Sequence, residues 1–186
     1  MKKMIFILLM VLCTSFAFGQ IHSWNSGEVK YKLGDRFTLA GNGELRLTGA
    51  DLYYSHIHFD VDYKLSDHFT IGVSERESYL LDKGQVEHKP MLNFKAKFGG
   101  LSNRARITWR IREGDNVLRF RNKTTVKISH AFAAYELFIE EGKSGIYRSR
   151  YYIGASVANG LSVFLCRQVT EGEGIWIIGT AWGVEL

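Results

Sequence analysis

From Asn103 to Arg112 the chain reads NRARITWRIR, with Arg104, Arg106, Arg110 and Arg112 on one parity and Ala105, Ile107, Trp109 and Ile111 on the other. A helix, repeating every 3.6 residues, would mix these two sets around its axis, whereas a strand sends successive side chains to opposite faces. The segment is therefore a strand with a cationic face and an apolar one. The same alternation recurs along the chain. His56, His58, Asp60, Asp62 and Lys64 oppose Ile57, Phe59, Val61, Tyr63 and Leu65. Arg119, Arg121 and Lys123 oppose Leu118, Phe120 and Val126, and Arg148 and Arg150 oppose Tyr147, Tyr151 and Ile153. No segment has the apolar spacing of an amphipathic helix, so the chain reads as all-β.

Strand starts fall near Trp24 and near positions 36, 52, 67, 90, 102, 117, 132, 146, 160 and 175. An antiparallel sheet closes on itself with an even count, so the expectation is an antiparallel up-and-down barrel of about 10 to 12 strands. The strands are long. About 12 residues at ~3.3 Å each, tilted by ~40°, rise about 30 Å, enough to cross a membrane. YKLGDRFTL from Tyr31 and YKLSDHFTI from Tyr63 repeat one another, which makes the hairpin the repeating unit. Tight turns are expected at 33 to 35, 65 to 67, 99 to 102, 128 to 130 and 159 to 160, with longer loops at 80 to 89 and 140 to 145 between them. Pro90, the single proline, is placed at the start of its strand, where a missing N–H costs least.

The first residues, MKKMIFILLMVLCTSFAFGQ, pair Lys2 and Lys3 with a short apolar run and end on Ala17 and Gly19. That is the pattern of a cleaved secretory signal, giving a signal peptide at 1–19 and a single β-barrel domain at 20–186. Removing Lys2 and Lys3 brings the formal charge of +5 closer to balance, which argues against a nucleic-acid surface. The mature chain keeps only Cys166, so no internal disulfide can hold an exported domain together.

Alternation alone does not say which face meets water. An arginine facing lipid near the midplane costs about 2–4 kcal/mol, which excludes only one arrangement, the basic face toward the bilayer. Export, strand length, the aromatics Trp24, Tyr31, Phe37, Tyr63, Phe69, Phe98 and Trp182 near strand ends, and a last strand with Trp176, Ile178, Trp182, Val184 and Leu186 on one parity all favour a transmembrane barrel with lipid outside and charge inside. The expected lumen network is then Glu44, Arg46, Asp60, Asp62, Arg76, Arg104, Arg106, Arg110, Arg112, Arg119, Arg121, Glu136, Arg148 and Arg150. Its acids, Glu44, Asp60, Asp62 and Glu136, would neutralise arginines across the lumen and plug it. The bases outnumber these acids, which leaves an anion pathway or anionic-ligand site open.

His56, His58, Asp60 and Asp62 are metal-ligand types on one face, about 6–7 Å apart at two-residue steps, and a His with a carboxylate can also serve as a base. A catalytic or metal centre draws on several strands, however, and these four come from one. Ser55, Ser74 and Ser78 lie outside any GxSxG turn, and the glycines at 41 and 43 lack the following helix of a dinucleotide loop. No catalytic residue and no cofactor is assigned.

Trp24, the ELR of Glu44 to Arg46, the EHKP of Glu87 to Pro90, NRARITWR from Asn103, the RFR of Arg119 to Arg121 and YRSRYYIG from Tyr147 occur in an order that resembles an uncharacterised family of exported bacterial outer-membrane β-barrel proteins. The resemblance implies a place in the outer membrane of a Gram-negative cell, contact with its lipid and lipopolysaccharide, and delivery by the outer-membrane insertion machinery. It implies no activity. The expected function is that of a small outer-membrane barrel with a charged, largely occluded lumen; the alternatives are a barrel-embedded enzyme modifying lipid or lipopolysaccharide and a soluble periplasmic ligand-binding barrel.

Overall fold

The computed structural model describes residues 21–158 and 160–186. The signal peptide expected at 1–19 lies outside the described residues. Eleven strands follow one another without a helix among the described residues: β1 (Ile21–Leu33), β2 (Phe37–Thr48), β3 (Asp51–Lys64), β4 (Phe69–Leu80), β5 (Gln85–Phe98), β6 (Leu101–Arg112), β7 (Asp115–Ile128), β8 (Ala131–Glu140), β9 (Ile146–Ala158), β10 (Leu161–Thr170) and β11 (Glu173–Glu185). Each strand pairs with the next, and β11 closes on β1.

The closing pair corrects the expectation of a wholly antiparallel sheet. Strands β1 and β11 run parallel, in register from Ile21↔Trp176 to Lys30↔Glu185. The reason is arithmetic: an odd number of up-and-down strands leaves the first and the last pointing the same way. The repeated YKL segments end β1 and β3 and lead into equivalent turns, so they do mark successive hairpins.

The expected contrast between tight turns and long loops is not found. One end of the barrel, the Gly34 end, carries the turns at 34–36, 65–68, 99–100 and 129–130 and the turn residue Gly160; the other, the Lys143 end, carries 49–50, 81–84, 113–114, 141–145 and 171–172. Both sets are short, because the polar residues assigned to loops continue the strands. Strand β5 begins at Gln85, so Pro90 sits inside it and not at its start. The β5–β6 ladder accordingly skips Lys89 and Pro90, passing from His88↔Ile111 to Met91↔Thr108 without a change of register. Gly160, with φ of 74°, lies so close to the Gly183 carbonyl that any side chain there would collide with backbone.

Burial divides the two faces. Phe59, Trp109 and Ile153 are 62%, 56% and 61% exposed, whereas Arg106 and Glu136 are 1% and 0% exposed. A soluble barrel has the opposite arrangement, so this is the architecture of a transmembrane barrel. Outward polar residues satisfy one another, as an apolar solvent requires. Asn103 and Asn122 exchange hydrogen bonds at 3.0 and 3.1 Å, and Asn103 also donates to Thr124 at 2.8 Å. Asn25 accepts from Thr180 at 2.8 Å and donates to Ser23 at 3.0 Å.

Two aromatics depart from their expected place. Trp24, assigned to the lipid interface, is buried in the lumen. Tyr147, assigned to the outer parity, is also buried, because the β8–β9 register shifts between Phe138 and Ile139 and turns it inward.

Candidate functional site

The inner faces of β3 to β7 are almost wholly polar, and their charges are tied in knots. Toward the Lys143 end, Glu87 on β5 meets Lys89, Arg110 at 2.8 Å and Arg112 at 3.2 Å. Arg110 reaches on to Glu140 of β8 at 2.8 Å, and the same carboxylate accepts from the Arg119 Nε at 2.7 Å and the Tyr147 hydroxyl at 3.2 Å. One guanidinium thus bridges two carboxylates. At mid-lumen Glu136 takes Arg121, Arg150 at 3.3 Å and the Tyr152 hydroxyl at 2.9 Å. Glu44 holds Arg46 at 2.6 Å and lies 3.8 Å from His56, while Asp62 pairs with Lys95. Arg148 donates to the Thr170 hydroxyl at 3.1 Å.

Arg76, Arg104 and Arg106 have no carboxylate within ion-pair distance among the described residues. Arg104 lines the middle and Gly34-end cavities. Arg76 and Arg106 are the two ends of a chain of polar contacts across β3, β4, β5 and β6. Arg76 Nη2 lies 3.1 Å from His58 Nδ1, and His58 Nε2 lies 3.2 Å from Asp60. The Ser74 hydroxyl donates to Asp60, and Asn93 donates to Ser74 while accepting from Arg106 Nε at 2.6 Å.

The opposite wall, β8 to β11 with Trp24 of β1, is largely apolar. Trp24, Ala134, Tyr152, Cys166 and Ile177 form its core, with Phe132, Phe164 and Ile175 packed against them. Phe164 lies over Gly179 and Phe132 over Gly154, each ring opposite a cross-strand glycine that leaves room for it against the wall. Guanidiniums stack on this surface: Arg46 lies 4.0 Å from the Trp24 ring, and Arg150 lies 4.6 Å from Trp24 and 4.7 Å from Phe138.

Between the walls lie four polar cavities, which share lining residues in succession. The vestibule at the Lys143 end has about 410 Å³, the middle cavity about 330 Å³, and two toward the Gly34 end about 450 and 490 Å³. Nine arginines and three lysines line the vestibule against Glu87, Glu140 and Glu171. That excess makes it a place where an anion gains and a cation loses.

The four weak metal candidates do not converge. His56 turns to Asn42 at 3.2 Å and toward Glu44, His58 to Asp60 and Arg76, and Asp62 to Lys95. No group of three metal-ligand side chains occurs among the described residues. The physical reason is the strand itself, which spreads alternate residues along its length and gives each its own partners. Ser74 and His58 both turn to Asp60 and not to each other, so no imidazole is bonded to the serine.

Glu87, Lys89, Asn93, Lys95 and Glu140 belong to the network in addition to its expected members. Carrying the parity of Leu92 and Phe94 back through Pro90, and that of Glu136 forward by four, places each of them inside.

Residues 21–161 match the family described as "Protein of unknown function (DUF2490)". No curated protein matches the sequence. Among solved structures, the chain is similar to the KdgM porin, with a TM-score of 0.63 and 11% identity over 82% of this chain and 87% of that one. A structure described as the KdgM porin in complex with disordered oligogalacturonate gives 0.64 and 12% over the same shares.

Proposed function

We propose that this chain, which belongs to the DUF2490 family, is a porin-like barrel of the outer membrane whose cationic vestibule admits small anionic solutes while ion-paired side chains projecting from the wall into the lumen keep bulk flow low. The observation that carries this reading is the vestibule lining, twelve basic side chains against three acidic ones. A general pore would gain nothing from such an excess, since a field of one sign sorts solutes by charge. The mid-lumen knot at Glu136 supports restricted flow, because Arg121 and Arg150 close over it from the neighbouring strands β7 and β9 and leave Glu136 and Arg150 0% and 5% exposed. The oligogalacturonate of the similar porin structure is a carboxylate-bearing saccharide, a chemistry that suits guanidinium-lined walls. The lipid-facing belt accords with outer-membrane lipid and lipopolysaccharide as surroundings, and with delivery by the insertion machinery.

Purified protein in planar bilayers under a potassium chloride gradient tests this reading. We expect small conductance steps and a reversal potential of the sign set by chloride permeation. Cation selectivity, or a large conductance indifferent to charge, overturns it. Fractionation with heat-modifiable gel mobility checks location: material soluble without detergent contradicts the membrane assignment.

A further inference from the structure

We propose that Arg76 and Arg106 form one oxyanion-binding site on the vestibule wall, built to take the carboxylate or phosphate head of a small acidic solute. The inference rests on the vestibule as a place for anions and adds where, and by which groups, an anion is held.

Most lumen arginines are spent on internal carboxylates, and these two are not. Both line the vestibule, and both keep buried N–H groups without an acceptor, Nε of Arg76 and Nη2 of Arg106. Arg106 is 1% exposed, so an unmet donor there is costly and calls for an acceptor. Its aim is not left to chance. Asn93 grips its Nε at 2.6 Å, Asn93 is anchored through Ser74 to Asp60, and Asp60 reaches His58, which contacts Arg76 at 3.1 Å.

The tautomers follow from that chain. His58 accepts at Nδ1 from Arg76 and turns Nε2 toward Asp60 at 3.2 Å, so an imidazole with its proton on Nε2 suits both contacts. One buried carboxylate therefore orients two guanidiniums without pairing with either. Their positive charge stays available to the cavity, and their donors are held in place before a ligand arrives. A site of this kind prefers an oxyanion with at least two oxygens, which can meet charge-assisted donors from both sides.

The test is equilibrium dialysis of the folded, detergent-solubilised full chain against labelled glucuronate and, separately, labelled inorganic phosphate. Heat-modifiable mobility confirms that each variant has folded. Wild type should bind one equivalent of at least one probe, and the tighter probe identifies the head group. Arg106→Gln and Arg76→Gln should each weaken binding by about tenfold or more, the value of a charge-assisted hydrogen bond. Asn93→Leu keeps every cation and removes the grip on Arg106 together with its anchor to Ser74, so it should also weaken binding severalfold; a diffuse basic field would not respond to it. Lys83→Gln and Lys143→Gln, elsewhere on the vestibule lining, should leave affinity within about twofold because screened, exposed charges contribute little.

Absence of binding by wild type, or binding unchanged in the Arg76, Arg106 and Asn93 variants, overturns the site. The two readings fail separately. Anion-selective conductance with no effect of these variants on binding removes the site and keeps the pathway; Arg106-dependent binding in a barrel that does not select anions does the reverse.

Discussion

The two inner walls of this barrel are held by different physics. From β3 to β7 the lumen face is charged, and each knot depends on partners at defined places, as Glu87 does with Lys89, Arg110 and Arg112. From β8 to β11 it is mainly aromatic and aliphatic, and it depends on shape, as Phe164 does on the space left by Gly179 and Phe132 on that left by Gly154. The polar wall should therefore be sensitive to the loss of a partner and the apolar wall to added volume. Where the walls meet, at Glu136 and Arg150, charge sits against rings and both requirements apply.

Replacing Glu136 by Leu should have the largest effect, because it leaves Arg121 and Arg150 without their shared carboxylate. Breaking a buried pair from one side costs about 3–5 kcal/mol, and the urea midpoint in lipid vesicles should fall accordingly. An unchanged midpoint would break the contrast between the walls. The outer face supplies the next test: Trp109→Arg puts a charge in the apolar belt and should cost about 2–4 kcal/mol by the same measurement, less if the position lies near the interface. On the apolar wall, Gly179→Ala places a methyl group inside the space of the Phe164 ring and should cost about 1–3 kcal/mol through displaced packing. Adding Phe164→Leu in the same chain should recover part of that loss, which separates overpacking from backbone effects. The smallest effect is expected at the rim, where Lys143 and Glu171 pair at 2.7 Å but are 46% and 56% exposed. Lys143→Ala should shift the midpoint by less than about 1 kcal/mol, and less again in high salt.

Much of the polar wall is legible in the sequence, since period two is a property of the strand and survives any choice of partner. NRARITWRIR needs only parity to place Arg104, Arg106, Arg110 and Arg112 together, and the structure puts all four on the lumen side. What parity does not carry is any local slip in register. Tyr147 stands at such a slip and faces inward against its apparent face. Residue type marks Trp24 as an interface anchor, although its neighbours Ser23 and Asn25 occupy the lipid side of β1. The parallel seam leaves no local signature, because it joins the two ends of the sheet and follows only from the total strand count. Pairing is similarly hidden. Parity places Arg106 inside but does not show that Asn93, and not a carboxylate, holds it.

A membrane barrel of this kind has charged side chains facing the lumen and apolar ones facing lipid, and adjacent positions on β6 test that most directly. In a Cys166→Ala background, Ile107→Cys and Thr108→Cys are made singly, and each variant is reconstituted in vesicles. A fluorophore attached at position 107 should be quenched by brominated lipid, and the thiol there should be shielded from a water-soluble reagent. The thiol at position 108 should instead react with a small water-soluble reagent, and its label should escape lipid quenching. The reverse pattern, or equal quenching at both positions, would contradict a membrane barrel with a charged lumen.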